Sequence, residues 1–127
     1  AVSVENSISR ITVSASVYNP YATIKIGGIS VTGAVYGMYT KEISLNVGSN
    51  VIPVEVKAQD GTSEKKYTVT VTRAHSSNAR LGSLIINNGD LVPAFTPEVT
   101  EYSVNVGNSV TDIAFIPTVN DSAATVR

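Results

Sequence analysis

Apolar and polar residues alternate with a period of two along most of this chain. The alternation stops at glycine-containing turns, such as Gly27-Gly28, Gly48 and Asp60-Gly61, and then resumes. A period of two places every second side chain on one face of a β-strand. A helix would need apolar residues at i, i+3, i+4 and i+7, and no stretch keeps that spacing for two turns. Short strands separated by turns predict an all-β fold, an antiparallel β-sandwich.

The amino-acid composition favours strands as well. Val, Ile and Thr together supply 43 of the 127 residues, and Leu occurs only four times, which argues against a helical bundle. The two-residue turn Gly27-Gly28 predicts a β-hairpin, because such turns need positive φ angles. Further strands are predicted where the alternation is clearest, around 52–56, 67–71, 84–86, 102–106 and 113–115.

Charge and cysteine content exclude several classes of protein. Nine basic and ten acidic residues give a net charge of −1 and neither sign is clustered, so no basic surface for nucleic acid is expected. Apolar runs are too short to span a bilayer. Without cysteine there is no disulfide, thiolate nucleophile or cysteine-based zinc site, and no cofactor is expected.

The chain contains an internal repeat. A shift of 102 positions aligns residues 1–25 with 103–127 without a gap, and eight of these 25 pairs are identical. The apolar alternation stays in phase throughout the overlap. We therefore expect the chain to start partway into one repeat and to stop partway into the next.

Two motifs carry a family resemblance. Residues 81–106 follow the pattern L-x-x-L-x-I-x-x-G-x-L-x-P-x-F-x-P-x4-Y-x-V-x-V, and residues 45–73 follow L-x-x-G-x-N-x-I-x-V-x-V-x-A-x-D-G-x5-Y-x-V-x-V-x-R. They resemble the opening and closing halves of the cadherin-like β-sandwich repeats of bacterial surface proteins, an immunoglobulin-like fold. The predicted organisation is the later strands of a first repeat at 1–73, a linker at 74–79, and the opening strands of a second repeat at 80–127.

The resemblance implies a non-catalytic function. Such repeats are structural or spacer modules of large bacterial extracellular proteins, and some bind carbohydrate or protein in adhesion. The expected location is the cell surface or the extracellular space, as part of a larger secreted or surface protein. The expected partners are neighbouring repeats, a glycan or a surface protein, and the family supplies no catalytic residue to carry over.

Three features carry chemically reactive side chains but do not have the pattern of a site. His75 lies alone in the linker and reads as a solvated residue. Glu98 and Glu101 stand three apart before a strand, a spacing that is common by chance. A calcium site needs several carboxylates, whereas the linker has none and Asp60 and Asp121 read as turn residues. No catalytic residue and no metal ligand is therefore predicted.

Four tyrosines are the candidate binding residues. Tyr18, Tyr21, Tyr36 and Tyr39 form two i, i+3 pairs that flank the Gly27-Gly28 hairpin, and the second copy of the repeat has Asn and Ala where the first has Tyr18 and Tyr21. Tyrosine rings stack on sugars or anchor protein partners. The alternative is that they pack against the end of the sandwich and bind nothing.

Residues 1–73 lack the opening strand of a complete repeat. We expect the segment around 81–106 to complete the sandwich, either within one chain or by exchange with a second copy. A seven-residue strand is about 23 Å long, and six linker residues reach at most about 20–24 Å. Exchange between copies is therefore favoured over completion within one chain.

Overall fold

A computed structural model describes all 127 residues. The chain forms two compact units, unit 1 at 1–75 and unit 2 at 76–127. It contains nine strands and no helix: β1 Val2–Val4, β2 Arg10–Ala15, β3 Thr23–Ile26, β4 Ile29–Val31, β5 Tyr39–Ser44, β6 Gly48–Lys57, β7 Glu64–Arg73, β8 Leu81–Ile86 and β9 Phe115–Val119.

Unit 1 is a β-sandwich of two sheets. The larger sheet has the strand order β1-β7-β6-β3-β4, and the smaller sheet contains β2 and β5. All pairings are antiparallel except that of β1 with β7, which is parallel, with Val2 beside Val71. The predicted all-β sandwich is confirmed. The parallel pair was not foreseen, because a period of two does not reveal strand direction.

The predicted Gly27-Gly28 hairpin is confirmed as the turn between β3 and β4. Both glycines have positive φ angles, 62° and 79°, as a two-residue turn requires. The φ angle is the main reason for glycine at position 27, since a Cβ there would meet only Cδ1 of Ile43, at 2.9 Å, the end of a side chain that can shift. The turn fixes the register, with Ile26 beside Ile29 and Ile24 beside Val31.

The hydrophobic core lies between the two sheets of unit 1. Every buried side chain in the chain belongs to this unit, and all are aliphatic: Ala22, Ile24, Ile26, Leu45, Ile52, Val54 and Val71. The buried positions in β3 and β6 alternate with outward-facing ones, as the period of two predicted. No polar or charged side chain is buried.

One arginine joins the two sheets at the end of β7. The guanidinium of Arg73 donates from Nε to the carbonyl of Asn6 and from Nη1 to the carbonyl of Leu45, each at 2.9 Å. The next residue, Ala74, donates its N–H to the carbonyl of Val4 and accepts from Nδ2 of Asn6, also at 2.9 Å. Leu45 in turn donates its N–H to the carbonyl of Ser9, just before β2. The end of β7 therefore lies at the pole where β2 begins.

Unit 2 is built around the antiparallel pair β8–β9, which has an irregularity between Leu81 and Ser83. After β8 the chain passes through a cis Val92–Pro93 bond. Phe95 stacks on Tyr102 with ring centroids 6.0 Å apart, and the Tyr102 hydroxyl donates to the carbonyl of Thr96 at 2.8 Å. No side chain of unit 2 is fully buried.

The strand predicted at 102–106 is wrong, since this segment forms only an isolated bridge between Ser103 and Val92. The repeat supplies the physical reason. Val104 to Val106 correspond to β1, which in unit 1 is held by its parallel pairing with β7. The corresponding residues of unit 2 pair with no strand along their length, so the same apolar pattern forms no ladder there.

Candidate functional site

Three loops meet at one pole of unit 1, which we call the tyrosine pole. They are 16–22 between β2 and β3, 32–38 between β4 and β5, and 58–63 between β6 and β7. Strand register brings them together, because Thr23 pairs with Lys57, Lys57 with Glu64, and Ala15 with Tyr39. Three of the four candidate tyrosines belong to these loops, and the fourth begins β5.

Loop 16–22 holds Tyr18 and Tyr21 on an asparagine turn. Oδ1 of Asn19 accepts the N–H of Tyr21, and the carbonyl of Asn19 accepts the N–H of Ala22, both at 3.0 Å. Such a turn is stabilised by its own side chain and needs no help from the tyrosine rings. The Tyr18 side chain is fully exposed and Tyr21 is 69% exposed. Both rings are therefore free to contact a ligand.

Tyr36 lies at the tip of loop 32–38. Val35 and Met38 exchange two backbone hydrogen bonds of 3.0 Å, which leaves Tyr36 and Gly37 as the two central residues of the turn. Their φ angles are 50° and 77°, both in the left-handed region. That region is costly for a bulky residue and is usually occupied by Gly, Asn or Asp. The Tyr36 ring is also fully exposed, so packing does not explain why a tyrosine occupies this position.

Tyr39 differs from the other three tyrosines. It begins β5 beside Ala15, is half-buried, and packs against the core. It also lines a cavity of about 500 Å³ together with residues of β3 and β4. The tyrosine pole thus presents Tyr18, Tyr21 and Tyr36 to solvent. Tyr39 instead has a structural role, because its ring packs against the core.

The third loop of the pole is a tight acidic turn. The carboxylate of Asp60 accepts hydrogen bonds from the hydroxyl of Ser63 and from the backbone N–H groups of Ser63 and Thr62. These bonds stabilise the charged form of the carboxylate and lower the pKa of Asp60 to about 2. The hydrogen bond from the Ser63 hydroxyl has the largest effect. The carboxylate therefore stabilises its own turn, as the sequence predicted.

A larger groove runs along the inner side of β2. It encloses about 700 Å³ and is lined by apolar residues of β2, β3, β6 and β7. Tyr67 shows how open it is: this residue pairs with the buried Val54 and faces inward, yet it is 56% exposed. Sequence reasoning missed this groove and the strained backbone of Tyr36, because neither leaves a signal in the residue pattern.

The remaining candidate residues do not belong to the three loops of the tyrosine pole. His75 is exposed at the end of unit 1. Glu98 forms an exposed ion pair of 3.1 Å with Arg80. Asp121 accepts hydrogen bonds from the Ser76 hydroxyl and from the N–H of Ala123, which lower its pKa. No group of three or more His, Asp or Glu side chains could hold a metal ion.

Residues 1–74, more than half of the chain, match the family model of the cadherin-like beta sandwich domain. The chain belongs to the cadherin-like β-sandwich family. The resemblance inferred from residues 45–73 is thereby confirmed. Cadherin-like domains are typically non-catalytic and are often extracellular, and the match suggests a structural or surface module.

One relative shares part of this cadherin-like chain. It is a protein of Evansella cellulosilytica described as "Putative membrane protein", 43% identical over 51 residues. The match covers 40% of the chain and only 8% of the relative, so the shared segment is a small part of a much longer protein. No solved structure matches the chain. The cadherin-like chain has no helix long and apolar enough to cross a membrane.

Proposed function

We propose that this chain is a non-catalytic spacer in a bacterial extracellular multidomain protein, with neighbouring repeats as its partners. The recurrence of residues 1–25 at 103–127 supports a tandem array, since one chain holds parts of two copies. The relative supports the same view, because its matching segment is 8% of its length. A spacer has to keep its fold when the array is pulled.

The observation that carries the proposal is the parallel pairing of β1 with β7. These are the first and last strands of unit 1, and they lie side by side with Val2 beside Val71 and Val4 beside Arg73. Tension applied at the two ends of the unit pulls parallel neighbours in opposite directions along their axes. All hydrogen bonds of the ladder, and those of Arg73 and Ala74, are then loaded together in shear.

Single-molecule pulling of the full chain tests this role. Because the chain has no cysteine, handles can be attached at Ala1→Cys and His75→Cys, which load the β1–β7 ladder in shear. The control uses handles at Ala1→Cys and Thr68→Cys, which peel β1 from β7 one bond at a time. Forced unfolding reports the unfolding barrier. We expect a clearly higher unfolding force in shear, and equal forces in the two geometries would contradict a load-bearing spacer.

Binding of a glycan or a surface protein is the second candidate function, and it rests on the tyrosine pole. Tyr18, Tyr21 and Tyr36 are exposed on loops whose turns do not depend on their rings. Strained backbone conformations are often found at functional sites. Tyr36 has a positive φ angle, and its exposed ring does not stabilise the fold. Exposed aromatic rings with a hydroxyl are suited to stack on sugar faces.

Titration of the labelled protein with glycan fragments, followed by NMR, tests binding. A ligand of the tyrosine pole is expected to shift ring signals of Tyr18, Tyr21 and Tyr36 while leaving Tyr102 in unit 2 unchanged. Replacing the three exposed tyrosines by serine should abolish the shifts without lowering stability. A glycan array with no hit, together with unshifted rings, would refute the binding role and leave the spacer role intact.

A further inference from the structure

One lysine lies on the core-facing side of the smaller sheet of unit 1. β5 pairs with β2, and its other side has no neighbouring strand. Successive side chains of a strand alternate between its two faces, so residues 39, 41 and 43 share a face. Tyr39 and Ile43 pack against the core, and Lys41 lies between them, opposite Val13, which also packs there. Lys41 therefore occupies a position where the alternation of the strand calls for an apolar side chain.

The fold of unit 1 does not account for a charge at this position. The chain has four ion pairs, and Lys41 belongs to none of them. Its side chain is half-buried, and no charged side chain of the protein is fully buried. The carbon stem thus covers apolar surface while the ammonium group reaches solvent past the open edge of β5. An aliphatic residue would cover the same surface without a charge to solvate.

The edge of β5 is the long free edge on its side of the sandwich. The outer strands of the larger sheet, β1 and β4, have only three residues each, whereas β5 has six. The repeat assigns a neighbour to β2, because its counterpart β9 pairs with β8, but this neighbour does not reach β5. A free edge carries a row of backbone N–H and C=O groups that can pair with another chain. Short edges offer few such groups, so β5 is the strand that needs protection.

We infer that Lys41 prevents the free edge of β5 from pairing with a second copy of the chain. A strand added to this edge would extend the sheet over Lys41 and remove its ammonium group from water, which is costly for an unpaired charge. Two β5 strands that pair about a two-fold axis have their core-facing sides on the same side of the joined sheet. Each copy then contributes a Lys41, and the two charges repel. Inward-pointing charges are a known protection of sheet edges.

The face on which the charge lies is essential to this role. Glu42, the next residue of β5, lies on the outward face and forms an exposed ion pair of 2.9 Å with Arg10. An outward charge stays in solvent when a strand is added to the edge, so it opposes pairing little. The core-facing Lys41 is the charge that edge pairing would bury.

Protection of this edge matters most where many copies are close together. Repeats joined in one chain are at high effective concentration, and pairing between the wrong copies is a characteristic failure of repeat proteins. Lys41 opposes edge pairing between any two copies, in one chain or in two. The inference therefore goes beyond the load-bearing role proposed above and does not depend on it.

The substitution Lys41→Ile in the full chain tests the inference. Sedimentation velocity should show self-association with a dissociation constant roughly tenfold or more below that of the unsubstituted chain. Lys41→Arg keeps the charge and should associate no more than the unsubstituted chain. The matched control is Lys25→Ile, which removes the same charge and adds the same side chain on β3, a strand paired on both sides. The free edge of β2 is identical in all variants, so it does not contribute to the differences.

Two further measurements locate the effect. Urea denaturation at low protein concentration should find the midpoint of Lys41→Ile equal to or above that of the unsubstituted chain, because isoleucine suits a core-facing position in a strand. Hydrogen exchange of the associated variant should show new protection of β5 amides that do not bond to β2. Equal association of Lys41→Ile and Lys25→Ile would overturn the inference, as would a lowered urea midpoint, which would make the lysine a stabilising residue. New protection confined to strands other than β5 would also overturn it.

Discussion

Replacing Arg73 by alanine should destabilise unit 1 more than any other single removal of a charged side chain. Its guanidinium donates two hydrogen bonds of 2.9 Å to the carbonyls of Asn6 and Leu45. The first carbonyl follows β1 and the second follows β5, so one side chain joins the larger sheet to the segment that leaves the smaller one. Alanine leaves both carbonyls without this partner.

The magnitude follows from the two bonds. A hydrogen bond to a charged group contributes about 1.5–3 kcal/mol, and Arg73 is half-buried, which favours the lower end of that range. Two such bonds give a loss of about 3 kcal/mol. With a urea m-value of about 1–3 kcal/mol/M, the denaturation midpoint should fall by roughly 1–3 M. Lysine at this position should recover only part of the loss, because its single ammonium lacks the rigid fork that reaches both carbonyls.

The matched control is Arg10→Ala. Arg10 also forms a contact of 2.9 Å, with Glu42, but both side chains are exposed. Exposed ion pairs contribute about 0.2–1 kcal/mol, so the midpoint should shift little. Urea denaturation of the full chain, followed by far-ultraviolet circular dichroism, measures both variants. Equal shifts for Arg73→Ala and Arg10→Ala would refute the role assigned to Arg73, as would full rescue by lysine.

Three further predictions concern the turns and the core. Tyr36→Asn should raise stability by about 0.5–1 kcal/mol, because asparagine tolerates the positive φ angle, and a lower melting temperature would contradict the strain. Asp60 has a folded pKa of about 2 against a reference value of 3.8, so its stabilisation is present above pH 4 and is lost as the pH falls towards 2; Asp60→Asn should weaken this acid dependence, as thermal melts between pH 2 and 6 would reveal. Ile26→Ala should cost about 2–5 kcal/mol by urea denaturation, whereas the exposed Ile85→Ala should cost little.

The last prediction concerns calcium. The melting temperature in millimolar calcium should equal that in chelator, because the carboxylates of Asp60 and Asp121 are engaged in their own turns. Differential scanning calorimetry measures this directly. A rise of several degrees in calcium would show that a cation site exists.

The sequence predicted correctly those parts of the fold that depend on residues close together in the chain. The Gly27-Gly28 hairpin, the Asp60-Gly61 turn and the alternating strand that ends at Arg73 each follow from residues close together in the sequence. The sequence predicted Tyr18, Tyr21 and Tyr36 as candidate binding residues, but it did not predict that their loops meet at one pole of unit 1. That Tyr39 packs against the core follows from its pairing with Ala15, 24 positions away in the chain, and no local pattern contains this.

Strand formation was less predictable because it depends on partners. The repeat provides a direct comparison: Val2–Val4 form β1 because β7 is beside them, while their counterparts at Val104–Val106 form no strand. Likewise β2 spans 10–15, where β5 pairs with it, and its counterpart β9 spans 115–119, where β8 pairs with it. Similar sequences therefore have different strand bounds according to the neighbour available.

The aliphatic core of unit 1 determines how this fold responds to its surroundings. Its seven buried side chains contain no nitrogen, oxygen or sulfur, so none of them can take up a proton, bind a metal or be oxidised. Acid and oxidants act only on groups that already contact solvent, such as the Asp60 turn and Met38 in the loop of Tyr36. Changes in the surrounding medium should therefore loosen loops before they disturb the interior.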